Sequence, residues 1–562
     1  MSLFLIFASS IKLDSDLLHI YMKHRFLIIF LLAASFVTSM HAKEDAGKSK
    51  GYLTGSFEST SNYYHEDAKT NATVPDGKFG SNNYVKLDYY NNRFSAGVQM
   101  EAYAPVLVGY SHELKGINLT NYYVSWRDDS FSVTAGTFYE QFGSGLLFRS
   151  WEDRALGLNN SVMGARVTYS YNDIVNVKAL WGMPRFGMKF SDTQVRGADL
   201  CLVLSDAIGM KNTYLALEGS VLDRYEALDS DRIADGCKPN AVGWSARANL
   251  ESHGFFFKAE YVDAGQKYYY NTSYAGEGQM YHRKRGNAQL VETGYNGRGL
   301  GVNVSLRRLE WMDSRIVTDA SSPVNMINYV PAMCTQYTYM LTTLHPYGAR
   351  TGDISSKFTN SGEMGGQIDV FYNFRRGTVL GGKRGMRVHA NFSTYHAISQ
   401  EGTFRPGNML FRDLSVDIEK QWTKEFKSTL LWSMQEYSPS YGANRTTWLS
   451  NIIVADLLYK FNSTTSLRAE LQYLVTHEDQ KDWMAALAEF SFAPHWCVFV
   501  SDMWNHGSTK MHYYNGGVSY SKSRTKVTLG YGRYKAGYIC SGGVCRQIPA
   551  YTGANLAVLM SF

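Results

Sequence analysis

The sequence predicts an all-β protein: a transmembrane antiparallel up-and-down β-barrel of about 24 strands, within a range of roughly 22–26. Three observations favour this fold. Apolar and polar residues alternate in stretches of about ten residues, short and long connections alternate, and the chain ends on an amphipathic strand. The composition agrees, because 14% aromatic residues, 50 Gly and only 11 Pro in 562 residues suit many short strands joined by turns.

The N-terminus has the features of a secretory signal peptide over residues 22–42. A basic Lys-His-Arg segment at 23–25 precedes the apolar stretch 26–37, and the small residue Ala42 follows. The stretch is shorter than the roughly 20 apolar residues that a spanning helix needs, although an uncleaved anchor is the alternative. Because Met22 directly precedes the basic segment, we expect residues 1–21 to be a non-native upstream extension.

A short periplasmic segment, residues 43–50, is expected to lead into a barrel over residues 51–562. Within it, the segments 386–393 (MRVHANFS) and 466–473 (SLRAELQY) alternate strictly between apolar and polar side chains. Successive side chains of a strand point to opposite faces. An apolar face opposite one with Arg, Glu and His fits lipid outside and a wet lumen inside, and predicts the cell outer membrane.

A soluble β-sandwich also alternates, so the connections decide between the two folds. Short turns occur near 91–92, 172–173 and 493–495, and long segments near 139–161 and 535–551. Roughly 12 long and 11 short connections are expected, which suits an even strand number with both termini on the side of the short turns.

The last strand presents Leu556, Val558, Met560 and the terminal Phe562 on one face. A terminal aromatic residue on an amphipathic strand resembles the insertion signal that barrel-assembly machinery recognises, so we expect that machinery and outer-membrane lipid as partners. A chance strand end is the alternative.

Cys540 and Cys545 enclose four residues, Ser-Gly-Gly-Val. In an exported protein this spacing favours a small disulfide loop. A redox or metal pair would require two-residue spacing and further ligands, so no metal site and no cofactor are predicted.

The chain carries no recognisable catalytic motif: GxSxG, HExxH and P-loop patterns are absent. We therefore expect no enzyme, although catalytic residues dispersed over a barrel are the remote alternative. The net charge of +6 is mild for this length and gives no support for nucleic-acid binding.

A closed ring of about 24 strands is wide enough to leave a lumen that must be plugged or conduct. The segment 136–164 combines glycines, aromatic residues and both charge signs. Five charged residues are candidates for a pore constriction in which opposed charges select solutes: Glu140, Arg149, Glu152, Asp153 and Arg154. The alternative is a packed loop whose charges are joined in salt bridges.

The longest connection, residues 310–363, is rich in Tyr, Met and Leu, as in the segment 337–347. Such a loop would be poorly solvated if it stood free in water. It is expected to fold into the lumen or mouth as a plug, or else to form another hairpin. A third interpretation is an outer surface that binds a partner or a glycan.

Four segments carry a family resemblance: 138–145 (FYEQFGSG), 329–332 (YVPA), 365–369 (GGQID) and 540–546 (CSGGVCR). They resemble an uncharacterised outer-membrane family of the Bacteroidota, which is known only as a domain of unknown function. The resemblance covers essentially residues 51–562. It implies the barrel and its compartment, and brings no substrate and no functional residues. Met40 departs from the smaller residue that signal peptidase prefers near the cleavage site.

The sequence therefore favours a porin-like channel for small solutes, narrowed by inward-folded loops. The alternative from a different class is a plugged barrel that serves as a surface scaffold, an export accessory or a partner-binding component.

Overall fold

The computed structural model describes residues 51–562, apart from Thr73 and residues 228–237, 271–280, 321–323 and 353–359. The barrel spans Tyr52–Ser561. The predicted upstream extension 1–21, signal peptide 22–42 and linker 43–50 lie outside the described residues and stay predictions.

The wall of the barrel is a closed antiparallel sheet of 24 strands, as predicted. In chain order the strands are β1 Tyr52–His65, β2 Phe79–Asn91, β3 Phe94–Tyr103, β4 Gly116–Arg127, β5 Phe131–Phe138, β6 Val162–Tyr171, β7 Val175–Phe186, β8 Gln194–Val203, β9 Thr213–Tyr225, β10 Asn240–Ser252, β11 Phe255–Tyr270, β12 Tyr281–Gly297, β13 Leu300–Glu310, β14 Gly362–Phe374, β15 Met386–Ile398, β16 Pro406–Gln421, β17 Phe426–Tyr437, β18 Trp448–Lys460, β19 Thr465–Val475, β20 Trp483–Phe492, β21 Trp496–Asn505, β22 His512–Lys522, β23 Thr525–Tyr534 and β24 Tyr551–Ser561.

Smaller elements lie in the connections. A two-residue strand, Lys189–Phe190, pairs with the last two residues of β7, and the strands Gly537–Ser541 and Val544–Ile548 form a hairpin that we call the mouth hairpin. The loop 139–161 contains two pairs of two-residue strands. Two short helices complete the described elements, the 3-10 helix His112–Leu114 and the α-helix α1 Leu204–Ala207.

The sheet closes on itself because β1 pairs with β24. Their antiparallel register runs from Ser56 opposite Ser561 to His65 opposite Thr552. Every strand otherwise pairs with its neighbours in sequence. Closure follows from the surroundings, since an open sheet edge in hydrocarbon would leave backbone N–H and C=O groups without partners.

The two faces of the wall differ as the alternation predicted. In β19, Leu471 is 58% exposed and points outward, whereas its neighbours Glu470 and Gln472 are buried on the lumen side. In β15 and β16 the outward face carries Phe392 and Ile418, and the lumen face carries His389. Large apolar side chains that are exposed on the outside and polar ones that are enclosed inside are typical of a membrane-spanning barrel.

The connections alternate between the two ends of the barrel. The end that holds Tyr52 and Ser561, here the turn end, carries tight turns in which Asn92, Asn172 and Asp173 adopt positive φ angles of 52°, 48° and 59°. The opposite end, here the loop end, carries the long connections. The predicted alternation is confirmed, but the turn end also has the longer connections 204–212 and 375–385.

Candidate functional site in the barrel lumen

The two loops that the sequence analysis singled out both fold into the lumen. We call residues 139–161, together with the described part of 311–349, the lumenal plug. Phe142, Leu146 and Phe148 of the first loop are fully buried, as are Met312 and Ile316 of the second. No further hairpin forms among the described residues of 311–361, so folding inward, rather than two additional strands, accounts for the apolar character of this loop.

The plug and the loop-end half of the wall share one apolar core inside the barrel. The plug contributes Phe142, Leu147, Phe148, Ile327 and Met333, among others. The wall contributes lumen-facing residues, which are Leu180, Val195, Leu222, Val262, Leu290, Leu309, Tyr395 and Phe411. Each Å² of apolar surface that this core removes from water stabilises the packed plug by roughly 25 cal/mol. The lumen face is therefore apolar where the plug packs against it.

Residues 337–344 of the plug, here the second arm, pack against the opposite side of the wall. Leu341 is fully buried against Leu431, Ile452 and Leu474 of β17–β19. Its backbone N–H donates a 3.0 Å hydrogen bond to Oε1 of Gln472. The plug thus contacts the wall from β6 across the lumen to β19.

A buried ion pair between two wall strands contacts the plug. Nη2 of Arg307 on β13 lies 2.7 Å from Oε1 of Glu363 on β14, and their side chains are 0% and 1% exposed. Arg307 also donates to the Pro331 carbonyl oxygen, and the Tyr347 hydroxyl donates to Glu363. Burial raises the pKa of Tyr347 well above its usual value, so this phenol remains a donor. The backbone N–H of Arg350 completes the contacts of Glu363, at 2.8 Å.

Further polar contacts dock the second arm on acidic residues of the wall. The Tyr337 hydroxyl donates to Asp417 at 2.7 Å, and the Tyr339 hydroxyl donates to Asp456 at 3.3 Å. His389 lies between Asp369, at 2.7 Å, and Asp417, at 2.6 Å. Burial raises the pKa of Tyr337, which again favours the protonated phenol. These hydrogen bonds could be replaced by water if the arm moved.

Three of the five candidate constriction residues form salt bridges in the structure. Glu140 is bound by the wall, because Arg166 lies 3.3 Å and Lys178 3.0 Å from its carboxylate. Glu152 and Arg154 are brought together at 3.0 Å, and Nη1 of Arg154 lies 2.5 Å from Glu58 on β1. Burial would lower the pKa of Arg154, but Glu152 and Glu58 more than offset this and raise it.

The remaining two candidates make contacts within the plug. The Arg149 guanidinium stacks 4.1 Å from the centre of the Tyr329 ring and 5.1 Å from that of Trp151. Asp153 accepts a 2.9 Å hydrogen bond from the Leu156 N–H. All five side chains thus have partners in the plug or in the wall, and their role in solute selection stays a prediction.

The mouth hairpin packs against the plug as a third segment. Sequence reasoning did not predict this contact. Cys540 and Cys545 form a disulfide within it. The backbone N–H of Gly543 donates to Val330 at 2.8 Å, and that of Ala349 donates to Gly543 at 3.0 Å. The Gly542-Gly543 pair is the only sequence signal for this contact, since an added Cβ at Gly543 would lie 2.8 Å from Ala349 and 2.9 Å from Val330.

Sequence reasoning also missed the anchor formed by Arg307, Tyr347 and Glu363. Arg307 and Glu363 look like any other polar residues of an alternating strand, so nothing in the sequence sets them apart. The residues of the predicted insertion signal do share a face: Leu556, Val558 and Met560 of β24 lie opposite Ser61, Ser59 and Phe57 of β1. Phe562 follows the last strand. Recognition of this segment by assembly machinery stays a prediction.

Within the part of the chain that the structure describes, no three His, Cys, Asp or Glu side chains come together in a way that could hold a metal ion. In the same residues, no helix is long and apolar enough to cross a membrane.

Solved structures with a similar arrangement are outer-membrane barrels of low sequence identity. The translocation pore of the P pilus usher PapC is 9% identical, with a TM-score of 0.41, over 91% of this chain and 99% of that chain. The siderophore receptor PirA from Pseudomonas aeruginosa is 10% identical, with a TM-score of 0.41, over 92% of this chain and 81% of that chain. A mutant of the Rh. blastica porin is 13% identical, with a TM-score of 0.27, over 62% of this chain and 100% of that chain.

Comparison with curated proteins gives no match. A family model described as a family of unknown function (DUF6029) matches residues 22–562, which include the whole barrel and its plug. This confirms the resemblance to an uncharacterised family, whereas an origin in the Bacteroidota stays a prediction. The chain belongs to the family of unknown function DUF6029.

Proposed function

We propose that this protein is an outer-membrane channel for small solutes that its own lumenal plug holds closed, and that solutes pass when the plug moves. The loop end would face the exterior and the turn end the periplasm. The observation that carries the proposal is the apolar core inside the lumen, because it places plug residues within a ring that is otherwise wide enough to hold water.

The wall below the plug supports a role in passage. Its lumen face is charged there, as at Lys86 and Arg468, whose side chains are 44% and 37% exposed. A barrel that only held a scaffold in the membrane would not need a charged, solvent-exposed lumen face. Hydrogen bonds to the Asp417 and Asp456 carboxylates help to dock the second arm, each with a net worth of about 1.5–3 kcal/mol.

Liposome swelling tests this proposal. We expect vesicles with the full-length protein to admit sugars slowly, and vesicles with a variant whose residues 325–349 are replaced by a short Gly-Ser linker to admit them quickly. Folding of the variant is checked by its β-sheet circular dichroism and its heat-modifiable migration. Slow entry through a folded variant without this segment would contradict the channel.

A milder variant keeps the test decisive if the linker variant does not fold. Tyr337→Phe combined with Tyr339→Phe removes two hydroxyl contacts and is expected to raise the rate of sugar entry several-fold. Tyr63→Phe, at an outward-facing tyrosine that is 55% exposed, is the matched control and should leave the rate unchanged.

The second candidate function is a permanently plugged barrel that binds a partner or supports export. The full burial of Phe142, Phe148 and Leu341 favours it, because such a core is expensive to open. It predicts that only the linker variant admits sugars and that the double tyrosine variant behaves like the unaltered protein. The absence of enzymatic activity, cofactor and nucleic-acid partner is retained as a proposal.

A further inference from the structure

A cleft at the loop end lies between the plug, the end of β17 and the mouth hairpin. It encloses about 240 Å³, and we call it the mouth cleft. Five side chains give it its chemistry: His345, Arg350, Tyr437, Tyr441 and Tyr538. We propose that the mouth cleft binds an acidic saccharide, with the carboxylate of a hexuronate unit on Arg350 and the sugar ring against the tyrosines. This goes beyond the proposed channel, since binding here requires no passage.

The charge of the cleft favours an anion. Arg350 lines it, and no Asp or Glu is among the residues that do so. Among the residues that the structure describes, the Arg350 guanidinium has no carboxylate partner; it stacks 3.8 Å from the centre of the Tyr441 ring. A planar guanidinium held by an aromatic face can bind a carboxylate with two parallel hydrogen bonds.

The rest of the lining suits a hydroxylated ring. Tyr441 and Tyr538 are 40% and 43% exposed, so part of each side chain is accessible to a ligand. The His345 ring stacks on Tyr437 at 5.2 Å and meets Trp448 at 5.7 Å. Aromatic faces pack against the C–H face of a sugar ring, while phenol hydroxyls bind the hydroxyl groups on its edge.

The cleft is held in place by backbone features on two sides. Tyr441 has a φ of 53°, which is uncommon for a bulky residue and recurs where ligands bind. On the other side, the Cys540–Cys545 disulfide fixes the mouth hairpin that carries Tyr538. A rigid cleft lowers the conformational cost of binding.

Isothermal titration calorimetry of the detergent-solubilised full chain tests the proposal with trigalacturonate as the probe. We expect saturable binding with a Kd of about 1 mM or below, and at least about tenfold weaker binding after Arg350→Gln. Arg283→Gln is the matched control, since Arg283 is an exposed arginine that lines a different cavity. Tyr441→Ala should weaken binding by a similar factor, and Arg283→Gln should not change it.

Two further probes separate the parts of the proposal. Maltotriose, which lacks the carboxylates, and benzoate, which lacks the ring hydroxyl groups, are both expected to bind at least about tenfold more weakly than trigalacturonate. Absence of trigalacturonate binding by the folded protein would overturn the proposal. Equal binding of maltotriose, equal binding of benzoate, or an unchanged affinity after Arg350→Gln would overturn it as well.

Discussion

Replacement of Glu363 by alanine is expected to lower the free energy of unfolding by about 3–5 kcal/mol. The substitution leaves the Arg307 guanidinium, which is 0% exposed, without its counter-charge in a site that water does not reach. It also removes the acceptor of the Tyr347 hydroxyl and of the Arg350 N–H. The loss is measured by urea unfolding of the protein in lipid vesicles, followed by tryptophan fluorescence.

Two variants control for this result. Arg307→Met together with Glu363→Met removes both charges and should recover much of the stability, because no isolated charge remains buried. Glu401→Ala breaks the Lys284–Glu401 pair, in which the Glu401 side chain is 50% exposed, and should cost about 0–1 kcal/mol. If Glu363→Ala unfolded at the same urea concentration as Glu401→Ala, the anchor described here would be wrong.

Replacement of Phe148 by alanine is expected to cost about 3–5 kcal/mol as well, but through packing. Phe148 is fully buried in the lumenal core, with its ring 5.4 Å from that of Phe142, so truncation leaves a cavity between plug and wall. We expect faster hydrogen exchange of the amides in residues 139–161, while the amides of the wall strands stay protected.

Val379→Ala is the control for the packing prediction, since Val379 is 99% exposed in the 375–385 connection and should change stability by less than about 0.5 kcal/mol. Unchanged exchange in residues 139–161 of the Phe148 variant would mean that the lumenal core does not hold this loop.

The strands of the wall could be predicted because each has one face toward lipid and the other toward the lumen. The segments 386–393 and 466–473 alternate in sequence, and the structure places their polar residues inside and most of their large apolar residues outside. The lumen-filling role of 310–363 could be predicted too, because its apolar content makes a solvated loop unfavourable. Both inferences depend only on local composition and on the period of a strand.

The contacts of the plug could not be predicted, because they join residues far apart in the chain. Arg154 pairs with Glu58, and Tyr337 binds Asp417. Glu140 was recognised as a charged loop residue, but its partners Arg166 and Lys178 lie on strands whose alternation carries no information about pairing. The mouth hairpin is similar: its disulfide follows from spacing, whereas its contact with Val330 depends on the tertiary fold.

Single-channel recording in planar lipid bilayers tests the central claim, that the chain's own loops close the lumen. With the full-length protein we expect a quiet baseline with rare, brief openings, and with the 325–349 linker variant a steady large current. A steady large current from the unaltered protein would contradict the plug, because loops that close the lumen would leave ions no continuous path.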